Sequence, residues 1–265
     1  MHLVITDLDG TLLDHSTYAY DDALPALELL RRRNVPVVFC TSKTRAETEV
    51  WREVLRNLDP FIVENGGAVF VPSDYFPVPT RCPVRRGDYD VLELGAPYRE
   101  LTGALHLASS RSGCRVRGFG DMSVDEVAAA CQMSVDAARL AKQREYDEPF
   151  LILDADRAGP LLDAIRATGK RWTRGGRFYH IVGDSDKAAA VRLVVERFKT
   201  IDPEVRVVGL GDGLNDAPFL NLVDVSFLLR SPSLEQLRSA VPNGIATAQP
   251  GPRGWNEAIL SVFGA

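Results

Sequence analysis

Leu3-Val4-Ile5-Thr6-Asp7-Leu8-Asp9-Gly10-Thr11-Leu12 is the stretch on which the reading of this chain turns. An apolar run leads into two carboxylates and a glycine, the pattern of a short buried strand that ends in a sharp exit. Taken alone, Asp-x-Asp-Gly-Thr is also a good polar turn. Its meaning depends on what the rest of the chain brings to it.

Outward from that stretch, Val35-Pro36-Val37-Val38-Phe39-Cys40 and Val205-Arg206-Val207-Val208-Gly209-Leu210 are further apolar runs. Such runs fit strands buried on both faces of a parallel sheet. Helices are predicted over 23–33, with Asp21 or Asp22 as cap, over 45–57 and over 188–198. Shorter helices are expected at 214–220, at 233–240 behind a Ser231 or Ser233 cap, and at 254–262. The βαβα order implies a doubly wound α/β sheet, whose loops at the carboxyl ends of the strands converge on one crevice. Asp7 and Thr41 fall on that rim.

From Pro72 to Gly87 the texture becomes rich in Pro, Arg and Asp, which marks a crossing into a second unit. In that unit, strands at 91–94, 115–118, 150–153 and 170–173 alternate with helices, as in an α+β layer. The expected organisation is a core formed by residues 1–80 and 178–265, with an α/β unit, residues 81–177, inserted between them. The 265 residues and 45% hydrophobic content suit such a globule. No apolar run approaches the roughly 18 residues of a membrane span, and no signal-like segment opens the chain, so a cytoplasmic protein is expected. Cys40, Cys82, Cys114 and Cys131 lie far apart, suggesting neither a zinc site nor a disulfide framework. The net charge of -5, with Arg scattered among acids, argues against a nucleic-acid surface.

Four stretches fall at strand ends or helix starts: Asp7/Asp9, Thr41, Lys187 and Asp212/Asp216. In this order, with the insertion between the second and third, they resemble the four motifs of the haloacid dehalogenase (HAD) superfamily of phosphatases, which have a Rossmann-like core. The resemblance implies that Asp7 is the nucleophile, forming an aspartyl-phosphate, and a metal ligand. Asp9 would bind the metal through its backbone carbonyl, while its side chain protonates the leaving alkoxide and then activates water. Thr41 would hydrogen-bond the phosphoryl group and Lys187 would offset its charge. Asp212 is implied as a direct ligand and Asp216 as a water-mediated one. A phosphate dianion beside Asp7, Asp212 and Asp216 would be repelled without a cation, and hard oxygen ligands favour Mg²⁺. An acid at Asp9 favours hydrolysis over a long-lived aspartyl-phosphate. The insertion resembles the α/β cap of the Cof-like branch.

A narrower resemblance is carried by Thr41-Ser42-Lys43-Thr44-Arg45, by the Pro-Phe-Ile-Val-Glu-Asn-Gly-Gly of 60–67, by Gly118-Phe119-Gly120-Asp121-Met122, and by 144–150 and 175–180. These stretches are similar to the family of mannosyl-3-phosphoglycerate phosphatases. The implied reaction is Mg²⁺-dependent hydrolysis of mannosyl-3-phosphoglycerate to mannosylglycerate and phosphate. The alternatives are glucosyl-3-phosphoglycerate or another sugar phosphate such as sucrose 6-phosphate, then a phosphomutase, then a sugar-phosphate-binding protein without turnover. The partner is a small phosphorylated sugar–glycerate, with no nucleic acid or membrane, and the chain is expected as a monomer or homodimer. Where Cof-like enzymes usually show Thr-Gly-Arg, this chain has Thr41-Ser42-Lys43. That leaves Thr41 or Ser42 facing the phosphate, and Thr41 is taken here. An acidic, hydroxyl-rich substrate calls for Arg forks and backbone donors. The candidates are Ser42, Lys43, Asn65, Gly66, Gly67 and Asn215 from the core side, and Arg144, Arg177 and His180 in or beside the cap. Arg144 could instead pair with Glu145 or Asp147, and Tyr146 and Phe178 are expected to serve packing.

Overall fold

A computed structural model describes residues 1–77, 83–175 and 178–264. Its strands are β1 His2–Thr6, β2 Val37–Cys40, β3 Phe61–Val63, β4 Ala68–Pro72, β5 Val84–Arg86, β6 Tyr89–Glu93, β7 Val116–Gly118, β8 Asp147–Ile152, β9 Arg171–Gly175, β10 Phe178–Val182, β11 Arg206–Gly211, β12 Val225–Leu228 and β13 Ile245–Ala246. The larger sheet runs β13-β12-β11-β1-β2-β3-β4-β6-β5. It is parallel from β13 to β3 and antiparallel beyond.

β1 lies between β11 and β2, and its apolar run is divided between two cores. Val4 packs with Phe39, Trp255 and Ile259 on one face, under the helices Leu24–Arg32 and Gly251–Phe263. Leu3 and Ile5 pack with Val191, Val194, Phe198 and Phe219 on the other, under Lys187–Lys199 and Ala217–Leu220. Burial of each such side chain contributes about 1.5–3 kcal/mol, so the strand cannot move without disturbing both layers. This is what fixes the position of the loop that follows it.

The smaller sheet, β7-β8-β10-β9, is antiparallel throughout. Leu101, Leu105, Leu161 and Ile165, from helices Tyr98–Ser112 and Ala158–Ala167, cover Phe150 and Ile181 on one of its faces. Helices Val124–Cys131 and Val135–Ala141 pack around Phe119, Met122 and Phe178.

The sheet pairings shift both expected crossings. β6, expected in the inserted unit, pairs with β4 and extends the core sheet, because Val91 is buried with Phe61 and Phe70. β10, expected to re-enter the core, pairs with β8 and β9 and gives Ile181 to the smaller sheet's core. In chain order, the larger sheet is left after β6 and re-entered at β11. The two crossings touch, since a Cβ on Gly183 would lie 2.6 Å from the Ala96 nitrogen. The expected boundary at 80/81 and Cys82 lie outside the described residues.

Local details differ as well. Asp21–Ala23 forms a 3-10 turn leading into the helix with no side-chain cap, and Asp22 accepts from Arg253 instead. The Ser231 hydroxyl donates to the Asp212 carbonyl rather than capping the helix Leu234–Ala240. Thr44 does cap Arg45–Val54, in a reciprocal box with Glu47. Among the described residues, Cys40, Cys114 and Cys131 form no disulfide. No helix there is long and apolar enough to cross a membrane.

Candidate active site

Asp7 is the first residue beyond β1, at the carboxyl edge of the parallel sheet. Gly10 has φ +76°, and a Cβ there would lie 2.6 Å from Asp212 Oδ2, so only glycine lets the first loop close on the loop after β11. Thr11 Oγ1 ties the same two loops by donating to Asp212 Oδ1 at 3.3 Å. Lys187 opens its helix at 1% exposure, and its Nζ donates to Asp7 Oδ1 at 2.7 Å and Asp216 Oδ1 at 2.6 Å. Asp216 Oδ2 accepts from the Asp212 and Gly213 N–H groups at 3.1 and 3.0 Å. Both Asp216 oxygens are thus engaged, whereas Asp7 and Asp212 line a cavity of about 510 Å³.

Asp7, Asp212 and Asp216 can each place one oxygen within 4.8 Å of the others'. Three carboxylates face one lysine in a buried space. Burial, with Asp216 and Asp9 adding to it against Lys187, pushes the Asp7 carboxyl up to about 7. Burial and the Asp7 charge raise Asp212 well above the carboxylate range. For Lys187, burial acts to lower the pKa, but Asp216 and Asp7 outweigh it and hold the ammonium charged. Hard oxygen donors carrying surplus negative charge fit a divalent metal ion, with Asp7 and Asp212 positioned as ligands and Asp216 steadied behind them by Lys187 and two backbone N–H groups.

Asp9 also lines the cavity, with Lys43 Nζ 2.9 Å from its Oδ1. Lys43 lies over the Tyr18 ring, 4.7 Å from the centroid, and 3.9 Å from Glu47. Ser42 lines the cavity and Thr41 does not. Thr41 is fully buried, and its hydroxyl accepts the Lys43 N–H at 3.1 Å. Of the two residues weighed for the phosphate contact, Ser42 stands at the crevice wall, and Thr41, the one expected there, is buried behind it.

Arg144 and His180 reach the cavity wall from the inserted unit, and Asn215 reaches it from the loop after β11. Arg144 Nη1 donates to the Ser42 carbonyl at 2.8 Å, Nε donates to Ala141 O at 2.9 Å, and the guanidinium lies over Phe119. Its hydrogen bonds go to backbone oxygens, not to Glu145 or Asp147, although the Asp147 charge acts on it through space. Asn65, Gly66 and Gly67 do not line the cavity. Gly66, at φ +90°, leaves room for the start of the helix Lys187–Lys199, since a Cβ would lie 2.2 Å from Asp186 O; a Cβ on Gly67 would lie 2.3 Å from Tyr146 Cβ. Asn65 instead joins the two units. Its Nδ2 donates to Asp147 Oδ2 at 2.6 Å and its Oδ1 accepts from Asn215 Nδ2 at 3.2 Å. Arg177 lies outside the described residues. Tyr146 is buried as expected, whereas Phe178 lines the cavity edge-on to Phe119.

Two residues carry functions that their types alone did not announce. Glu64, fully buried with φ +49°, accepts the Glu145 N–H at 3.0 Å and the Tyr146 N–H at 2.8 Å, fastening the start of β8 to the core. Burial pushes its carboxyl up to about 8. Asp147, also fully buried, sits 2.8 Å from His180 Nδ1. A carboxylate directly before the Asn-Gly-Gly turn was a legible sign for Glu64; the partnership of Asp147 and His180 needed the register of β8 against β10.

A carboxylate at the end of the central strand, a lysine bridging it to an acidic loop, and a second unit walling the crevice define a HAD-like hydrolase. A family model of haloacid dehalogenase-like hydrolases matches residues 4–76. The chain is 43% identical over 265 residues, covering 99% of it and 97% of the relative, to a glucosyl-3-phosphoglycerate/mannosyl-3-phosphoglycerate phosphatase of Methanococcoides burtonii. It is 39% identical, over 86% of its length and 91% of the relative, to the mannosyl-3-phosphoglycerate phosphatase of Pyrococcus furiosus. Among solved structures, a HAD subclass IIB sugar phosphatase shares the fold at TM-score 0.68 and 17% identity, covering 100% of this chain and 99% of the other. The chain belongs to the family of glucosyl-3-phosphoglycerate/mannosyl-3-phosphoglycerate phosphatases.

Proposed function

We propose that this chain hydrolyses mannosyl-3-phosphoglycerate to mannosylglycerate and phosphate, with Mg²⁺ as its metal and residues 95–182 closing over the crevice as a cap. The observation that carries the reading is Asp7, held by Lys187 beside Asp212, at the floor of a 510 Å³ cavity. That volume suits a sugar phosphoglycerate. Bound between Asp7 and Asp212, the metal would offset the charge of the incoming phosphate. Asp7 attacks phosphorus in line, and the P–O bond to the glycerate breaks as Asp9 gives its proton to the leaving alkoxide. Asp9 then takes a proton from water, whose attack on phosphorus frees Asp7. Lys187 offsets charge on the phosphoryl oxygens, and Ser42 donates to one of them. The setting is cytoplasmic, and the partner is a small solute rather than a nucleic acid or a membrane.

Glucosyl-3-phosphoglycerate is the second reading, favoured because the 43%-identical relative is named for both esters. The test is phosphate release from both, from sucrose 6-phosphate and from simple esters in Mg²⁺. The expected result is kcat/KM highest for a sugar phosphoglycerate and activity abolished by EDTA; a preference for another ester, or full activity in EDTA, would overturn the reading. Because a proton on Asp7 competes with the metal, the Mg²⁺ concentration for half-activity should rise as pH falls below about 7. Ser42→Ala should lower kcat by on the order of 10²-fold, whereas Thr41→Val, which removes the other hydroxyl, should lower it less. The opposite ranking would return the phosphate contact to Thr41.

A further inference from the structure

The Asp147–His180 pair lies outside the reaction just described, yet it is built into the cavity wall. Asp147 has no exposure and does not reach the cavity, whereas His180 lines it. His180 Nδ1 sits 2.8 and 3.0 Å from the two Asp147 oxygens. Burial acts to raise the Asp147 pKa, but His180, Arg144 and the Asn65 amide outweigh it and hold this carboxyl below its usual range. A carboxylate only accepts, so Nδ1 carries the hydrogen and the opposite ring nitrogen is presented elsewhere. Nε2 points toward Gly175 and Asn215: a Cβ on Gly175 would be 3.7 Å from it and 3.9 Å from Asn215 Nδ2. Gly175 therefore borders both nitrogens, at ordinary contact distance from each.

The other cations at or behind the cavity wall are engaged elsewhere. Lys43 is paired with Asp9, Arg144 donates to two backbone carbonyls, Arg230 donates to the Ala248 carbonyl at 3.4 Å, and Lys187, behind the lining, is buried between Asp7 and Asp216. In a 3-phosphoglycerate the carboxylate is only two carbons from the carbon bearing the phosphate, so it must also be met near the floor of the cavity. We infer that His180, oriented by Asp147, binds the glycerate carboxylate of the substrate through Nε2, and that Asp147 is a positioning residue for that contact. The inference rests on the sugar-phosphoglycerate reading above. The contact at Nε2 is then a charge-assisted hydrogen bond to the incoming carboxylate. Asn65 couples the pair to the core, since it donates to Asp147 and accepts from Asn215.

The test compares binding of mannosylglycerate and its methyl ester, which lacks the negative charge, to the Mg²⁺-loaded protein by calorimetry. Wild type should prefer the acid. His180→Gln and Asp147→Asn should each reduce that preference by about 10-fold or more, and the double variant should be no worse than either single one. Proton NMR adds a readout that a purely structural role would not supply. The downfield Nδ1–H resonance of His180 should be present in wild type and absent from both variants. If buried Asp147→Asn does not fold, His180→Gln at the cavity wall decides alone. An unchanged acid-to-ester preference in His180→Gln, or equal weakening of both ligands, overturns the inference while hydrolysis of sugar phosphoglycerates still stands. A wild type that neither hydrolyses these esters nor binds mannosylglycerate overturns the parent reading and the inference together.

Discussion

Asp7→Asn is expected to abolish phosphate release, by on the order of 10⁴-fold or more in kcat, in a protein that folds as well as wild type. The amide has the shape of the carboxylate but not its nucleophilicity, so no covalent intermediate can form on it. Lys187 retains Asp216 at 2.6 Å, so the ammonium is not left alone. Stability should move opposite to activity. Burial raises the Asp7 carboxyl from an ordinary 3.8 to about 7, so the folded state binds a proton more tightly than the unfolded chain does. The stabilisation associated with that proton is full below about 4 and lost as pH rises through 7. An uncharged Asn has no such loss. Without metal, the melting temperature of Asp7→Asn should therefore equal or exceed that of wild type at pH 8, and the gain should vanish near pH 4. Phosphate assays and melting curves with EDTA check both parts. A variant keeping more than one-hundredth of the activity would show that another group attacks phosphorus.

The fold and the gathering of the acidic residues were legible because their signals are local. Leu3-Val4-Ile5, Val37 to Cys40 and Val207 to Leu210 are apolar on both faces, and only a strand covered on both sides needs that composition. Asp7 and Asp212 sit at the ends of such strands, where topology forces them together. The limits of the cap were not legible for a physical reason. Tyr89–Glu93 and Phe178–Val182 both mix apolar with polar residues, and such a strand suits the edge of either sheet. Which sheet it joins is decided by one or two buried contacts, Val91 under Phe70 in one case and Ile181 under Phe150 in the other. Thr41 and Ser42 were ambiguous because adjacent residues at a strand end point opposite ways, and only their burial in the folded chain says which faces in. Asp147 looked like a partner for Arg144. Its pairing with His180 arises from cross-strand neighbours far apart in sequence.

Lys187→Met is expected to damage both stability and activity, and the split between them reports what the lysine does. Its ammonium is buried between two carboxylates that are themselves out of water, with exposures of 1% and 9% on the Lys187 and Asp7 side chains. Methionine fills much of the stem's volume but leaves Asp7 and Asp216 facing each other without a cation. Removing one partner of a buried ion pair costs about 3–5 kcal/mol, which for a chain of this size is a drop in melting temperature on the order of 10 °C. Some of that loss should be recovered by Mg²⁺, because a cation bound by Asp7 and Asp212 relieves the same repulsion. Activity should not be recovered. A bound metal would offset charge on the phosphoryl group but would not replace the hydrogen bonds that the lysine would donate to it, and loss of one such donor lowers kcat by on the order of 10²–10³-fold. Melting curves over a Mg²⁺ series, with kcat measured at each concentration, separate the two effects. If saturating Mg²⁺ restored kcat along with stability, Lys187 would be a charge-balancing residue of the fold and Asp7 would attack phosphorus without its help.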